Sequence, residues 1–261
     1  MMKFLQKSYI ALIFIFLYAP IFILILFSFN SSDSLSKFTG FSLRWYEEFF
    51  HSRTLQSAFG NTISIAVIST LIAVIVGTIA ALGINNMKPV RRSLTFSVSN
   101  IPILSPDIVT GVSFMLLFAF LAVGTGYTTM LIAHISFNIP YVILSVMPRL
   151  RGMNISIYEA SLDLGASPLR AFRDVVIPQI VPGIIAGAMI SFTMSIDDFI
   201  ISYFTTGPGV SNLSIEIYNM TKRGVKPTVN AISTIMFVVI VSLLLFVNIK
   251  QAKDKKENKI K

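Results

Sequence analysis

Six apolar runs, at 8–29, 62–83, 98–123, 127–148, 183–205 and 230–250, divide the chain. Each supplies the roughly 20 residues that a helix needs to cross the hydrocarbon of a bilayer. No water is present there to satisfy backbone amides and carbonyls, so each run has to close its own hydrogen bonds as a helix. Composition agrees with this. Of 261 residues, 54% are hydrophobic and 13% charged, whereas a soluble domain carries about 25% charged residues. The expectation is an all-α integral membrane protein with six transmembrane helices. Lys3 and Lys7 precede the first run as they would in a signal peptide. However, a signal core spans only about 7–15 residues, and no small-x-small cleavage site follows, so this run reads as a retained helix.

Six spans place both termini on one side of the membrane. Fifteen Lys and Arg fall in the N-terminus, the 84–97 and 149–182 loops and the end of the chain, against six in the 30–61 and 206–229 loops. Positive charge is retained in the cytoplasm, which puts both termini and the 149–182 loop inside. The formal charge of +9 is therefore a matter of topology, and nucleic acid is not an expected partner. The segment 251–261 reads as a disordered basic cytoplasmic tail. In the outer 30–61 loop, Trp45 and Tyr46 beside Glu47 and Glu48 read as an amphipathic piece anchored among lipid headgroups. The expected division is 1–59, first helix and external loop; 60–250, five helices; and 251–261, tail.

Several chemistries are excluded. With no cysteine there is no disulfide or thiolate site, and two isolated histidines make no metal centre. No P-loop, H-E-x-x-H or G-x-S-x-G is present. The chain is expected to be non-catalytic and without cofactor, so uphill transport by it needs energy from another subunit.

The 149–182 loop is the most informative part. Ser156 and Glu159 are spaced as a capping box. A short helix to Leu164 follows, then Gly165 as a left-handed stop. Ser167 and Pro168 are spaced as N-cap and first helical residue, and Pro178 is expected to end that second helix. The result is two short helices with a glycine elbow in water. Ala160, Leu164, Leu169 and Phe172 are small or apolar, whereas Glu159, Asp163, Arg170, Arg173 and Asp174 are charged. Such an elbow serves either as a cap on the bundle or as a knob for a socket on another protein.

Glu159-Ala160-Ser161, Gly165 after three residues, and Val175-x-Ile177-Pro178 after nine more resemble the E-A-A…G…I-x-L-P loop of ABC importer permeases. Ser, Val and Ile replace Ala, Ile and Leu, which are mild departures. The segments 101–118, 195–209 and 213–227 resemble the spermidine/putrescine permeases of that family. The resemblance implies a type I ABC importer permease fold with cytoplasmic coupling helices, in which Glu159, Ala160, Asp163, Leu164 and Gly165 couple to the ATPase. It also implies partners: a cytoplasmic ABC ATPase dimer, a second related permease and a periplasmic polyamine-binding protein, all working at the bacterial inner membrane.

Three acids fall within the apolar runs: Asp107, Asp197 and Asp198. A charge in a span costs at least about 2.5–3.5 kcal/mol and faces a cavity or a partner. Polyamine ammonium groups want carboxylates at intervals with aromatic faces between them. Phe114 and Tyr203 lie close to these acids in sequence, which completes a candidate pathway. The alternative is that the acids pair with donors on a partner subunit. Adjacent Asp197 and Asp198 point about 100° apart on a helix, so one of them faces the path. Pro102 and Pro106 can break the third span. His134 and Asn138, four residues apart, are placed for interhelical hydrogen bonds.

Overall fold

The computed structural model describes residues 2–34, 36–224 and 226–257. Among them the chain is helical, with no strand beyond a single bridge between Asn30 and Phe41. Its helices are α1 (Met2–Ser28), α2 (Arg44–His51), α3 (Arg53–Asn85), α4 (Pro89–Ser99), α5 (Ile101–Leu104), α6 (Asp107–Phe120), α7 (Tyr127–Arg151), α8 (Ile155–Asp163), α9 (Pro168–Ala171), α10 (Ile177–Asp197), α11 (Ile200–Thr205), α12 (Leu213–Lys222) and α13 (Pro227–Glu257). Five helical stretches are long and apolar enough to span a membrane: Gln6–Ser28, Arg53–Asn85, Tyr127–Arg151, Pro168–Asp197 and Pro227–Val247. They coincide with five of the six apolar runs. The third run is divided. Ser105 and Pro106 are extended (ψ 142° and 137°), because Pro106 lacks an amide and bars Ser105 from helical geometry. This leaves α6 as a shorter apolar helix of 14 residues.

The residues form two compact units, Met1–Ser57 with Glu216–Lys261, and Ala58–Ile215. This differs from the division at 59/60 and 250/251, since the last helix packs with the first. In the first of these units α1 lies along α13, and α2 also rests on α13. Trp45 is 2% exposed and donates its indole N–H to the carbonyl of Asn30 at 2.6 Å. It is therefore a core residue and not a headgroup anchor: a buried indole needs one acceptor, and the loop supplies it. Asn30 in turn ties the loop together, bonding the carbonyls of Ser34 and Lys37 and the amide of Thr39. Helix α13 runs to Glu257 through most of the stretch expected to be a disordered tail. Residues 258–261 lie outside the described residues.

In the second unit α7 is the central post. Its Val142, Ile143, Val146, Met147 and Leu150 form a core with Ala73, Ala81 and Ile84 of α3 and Ile180 of α10. Small residues set the spacing. A Cβ on Gly183 would lie 2.8 Å from the Ser145 carbonyl oxygen, and one on Gly77 would lie 2.7 Å from Val142 Cβ. Lipid tails offer no hydrophobic drive to pair helices, so such close backbone approach is what holds a membrane bundle together. The outer faces stay apolar, with Leu71, Ile75 and Ile79 of α3 exposed.

Candidate functional site

Two regions carry the polar chemistry of the second unit. The first is the elbow between α7 and α10. Asn154, not Ser156, caps α8: its side chain accepts the Ser156 amide at 3.1 Å. The expected box starting at Ser156 is thus displaced by two residues, because Asn caps at least as well as Ser. Helix α8 carries Glu159, Ala160 and Asp163 and ends at Leu164. Gly165 takes φ +86°, the left-handed region in which a Cβ is disfavoured. Ser167 caps α9 by accepting the Arg170 amide at 3.4 Å.

Pro178 does not stop the chain there. The residues Phe172–Val176 form a π-turn, with the Ile177 amide bonding the Phe172 carbonyl five residues back. The wider turn takes up the bond that Pro178 cannot make, and the helix continues as α10. Tyr158 and Phe172 pack inward on the core. Leu164 and Leu169, by contrast, are 90% and 79% exposed, with Glu159 and Asp163 also in solvent. Beside them a groove of about 620 Å³ is lined by Ser167, Leu169, Arg170, Phe172, Arg173 and Ile177. Both arginines pair with Asp174. The elbow is thus rooted in the core through Tyr158 and Phe172 and holds two leucines in solvent.

The second region surrounds the acids. Asp107 is the first residue of α6, not an interior residue of a span as expected, because the chain breaks just before it. The positive end of the helix favours its charge, and it lies within electrostatic reach of Tyr141 on α7. Phe114 packs with Ala133, Phe137 and Ile201 and stacks on Phe118. Gly111 lets α6 approach α11: a Cβ there would meet the Phe204 ring at 3.0 Å. Along the broken segment runs a groove of about 250 Å³, lined by Pro102, Ser105, Thr110, Ser113 and Phe114 among others.

The fifth run breaks as well, between α10 and α11, where Asp198 is extended (ψ 124°). Asp197 remains exposed. Asp198 turns inward, its side chain 9% exposed. Oδ1 accepts the Ile201 amide at 3.2 Å, and Oδ2 accepts the Ser202 amide at 2.7 Å and the Ser202 hydroxyl at 2.8 Å. His134, 1% exposed, has Nε2 3.5 Å from Oδ2. A carboxylate buried without donors would cost several kcal/mol, and here every donor comes from this chain. Tyr203 is 47% exposed and neighbours the rings of Phe199 and Phe204.

The hydrogen bonding expected of His134 and Asn138 is present. His134 reaches Ser195 and Ser202 at 2.6 and 2.9 Å, and the Asn138 amide donates to Ser69 at 3.2 Å. The serines at 69, 195 and 202 and Asn212 escaped notice in the sequence. The available signal was Ser202 four residues after Asp198, a spacing that shares a helix face.

Residues 73–252 match the family model described as "Binding-protein-dependent transport system inner membrane component". Among characterised relatives, the chain is 38% identical to the putrescine transport system permease protein PotI of Escherichia coli, covering 85% of this chain and 82% of that protein. It is 35% identical to the spermidine/putrescine transport system permease protein PotC of the same organism, covering 90% and 89%. Among solved structures, a bacterial ABC transporter that imports the acidic polysaccharide alginate superposes with a TM-score of 0.76 at 16% identity, over 97% of this chain and 95% of that one. A chain of the MetNI methionine ABC transporter gives 0.63 at 18%, over 77% and 98%.

Proposed function

The chain belongs to the family of binding-protein-dependent transport system inner membrane components, and from that premise we propose that, as a permease subunit of an ABC importer, it conducts polyamines such as spermidine and putrescine. The observation that carries the cargo is its 35–38% identity, over most of both chains, to permeases of putrescine and spermidine systems. The acids fit such a cargo. Asp107 lies near Tyr141, and Asp197 adjoins Asp198, which lies near His134; Tyr141 and His134 are seven residues apart on α7. The two levels are thus separated by about 10 Å at 1.5 Å per residue. Carboxylates at two depths can hold successive ammonium groups of an extended cation. Asp107 and Asp197, with Phe114 and Tyr203, form the proposed path.

In this proposal the elbow lies in the cytoplasm, as do both termini. Glu159, Ala160, Asp163, Leu164 and Gly165 seat in one of two copies of a cytoplasmic ATPase, which hydrolyses the nucleotide. A second permease completes the pore, and a periplasmic polyamine-binding protein delivers cargo to its outer mouth. Closure of the ATPase moves the elbow, and α10 carries that movement to the break at Asp198 and so alternates access. The exposed leucines support the seat, and the unbroken helical path from Pro168 to Asp197 supports the transmission.

The test is uptake and nucleotide hydrolysis by the purified importer in proteoliposomes. Spermidine with its binding protein should stimulate hydrolysis, and the double variant Asp107→Asn/Asp197→Asn should lose about tenfold or more in kcat/KM for spermidine. Unchanged spermidine uptake in that variant would defeat the path.

A further inference from the structure

The two aspartates that end α10 are not equivalent, and the hydrogen bonds around the second of them run in one direction. Asp198 Oδ2 accepts the Ser202 hydroxyl at 2.8 Å. With its proton committed there, Ser202 Oγ can only accept at its remaining positions, from the Asn212 amide at 2.8 Å and from His134 Nε2 at 2.9 Å. For the neutral imidazole this assigns His134 the tautomer protonated on Nε2. Nδ1 is then an acceptor, and its 2.6 Å partner, Ser195 Oγ, must donate to it. Ser69 Oγ lies 3.3 Å from Ser195 Oγ and 3.4 Å from the Ala66 carbonyl, which share its one proton, and it accepts from the Asn138 amide at 3.2 Å. The directed chain therefore runs Ser195, His134, Ser202, Asp198, with each donor aimed toward the one carboxylate. Its members stand on α7, α10 and α11 and at the break itself. His134 bridges the interruption directly, holding Ser195 before it and Ser202 after it. The Asp198 carbonyl is held too, by the Asn212 amide at 3.2 Å. Bonds in such a chain polarise one another in a low-dielectric interior, so its order depends on the charge at its end. Asp197 is exposed and makes none of these bonds.

We propose that Asp198 is a positioning residue: its buried carboxylate, through this one-way chain and His134, locks the break between α10 and α11 and thereby aims Asp197 at the cargo. The inference rests on the polyamine path proposed above. It separates two acids that the sequence treats alike, since Asp197 meets the ammonium groups and Asp198 holds the backbone that presents it.

The absence of cysteine in the native chain permits a test that is independent of cargo. Asp197→Cys is labelled with a neutral water-soluble maleimide in the assembled importer, alone and combined with His134→Ala or with Ser195→Ala. Both leave the Asp198 charge in place. The expected result is a labelling rate altered by about threefold or more in either background, since the break is no longer held. Ser195→Ala removes a single hydroxyl and decides the matter if His134→Ala fails to assemble. A change below threefold in every background that assembles overturns the proposal.

Spermidine uptake per assembled complex supplies the second arm. Asp197→Asn should raise KM about tenfold, Asp198→Asn should raise it through the same carboxylate, and the double variant should be no worse than Asp197→Asn alone. If the two effects multiply in the double variant, Asp198 touches cargo on its own and the positioning role is wrong. If neither variant affects spermidine kinetics while labelling still responds, the cargo reading fails and the lock stands.

Discussion

At the scale of single residues, partners decide what the residue type leaves open. Trp45 reads as a membrane anchor from its neighbours alone, yet its indole closes a hydrogen bond on Asn30 and its ring is buried. Trp45→Ala should cost about 3–5 kcal/mol through the cavity it leaves. Trp45→Phe should cost about 1–3 kcal/mol by orphaning the Asn30 carbonyl. Thermal unfolding of the purified protein in detergent orders the two. The glycines divide in the same way. Gly165 is needed for its φ of +86°, with open space where a Cβ would sit, whereas Gly183 is needed for its contact with Ser145. Asn tolerates the left-handed region and β-branched residues do not. Gly165→Asn should therefore keep ATPase co-purification within about twofold of the native chain, while Gly165→Val should lose it. Asn at position 183 should instead prevent assembly. The sequence marked Gly165 through its place after a helix, but Gly183 could not be read, because the need for it lies in Ser145 on another helix.

At the scale of elements, the breaks matter more than the helices. The prolines at 102 and 106 announced an interruption, and the chain parts at Ser105–Pro106. The interruption at Asp198 had no such herald: no proline or glycine precedes it, and its cause is the set of donors around the carboxylate. Pro178 erred in the opposite direction, since a π-turn accommodates it and the helix continues to Asp197. In the proposed function that difference matters for transmission, because a stop at Pro178 would have uncoupled the elbow from the span. Restoring an amide at position 106 tests the value of a break. Pro106→Ala lets Ser105 turn helical and joins α5 to α6. Normal assembly with uptake lowered about tenfold is expected in proteoliposomes.

At the scale of the whole molecule, the apolar runs and the low charge content made the membrane class, five of the six spans and the exposed elbow legible, because each is a local property of the chain. The packing units were not legible. That α13 lies with α1, and that Asp198 is satisfied from within, depends on side chains far apart in sequence. The chain that results has two interruptions beside acids and one exposed elbow. Among the described residues it has no cluster that could hold a metal ion. In the function proposed above, this bundle moves cargo only when the ATPase moves it. The most direct measurement is spermidine accumulation in proteoliposomes containing the full importer, compared with vesicles lacking the ATPase and with vesicles in which Gly165→Val loosens the elbow. ATP-dependent accumulation in the first and none in the other two is the predicted result. Accumulation driven by an ion gradient in vesicles without the ATPase, or undiminished in the Gly165→Val complex, would contradict it.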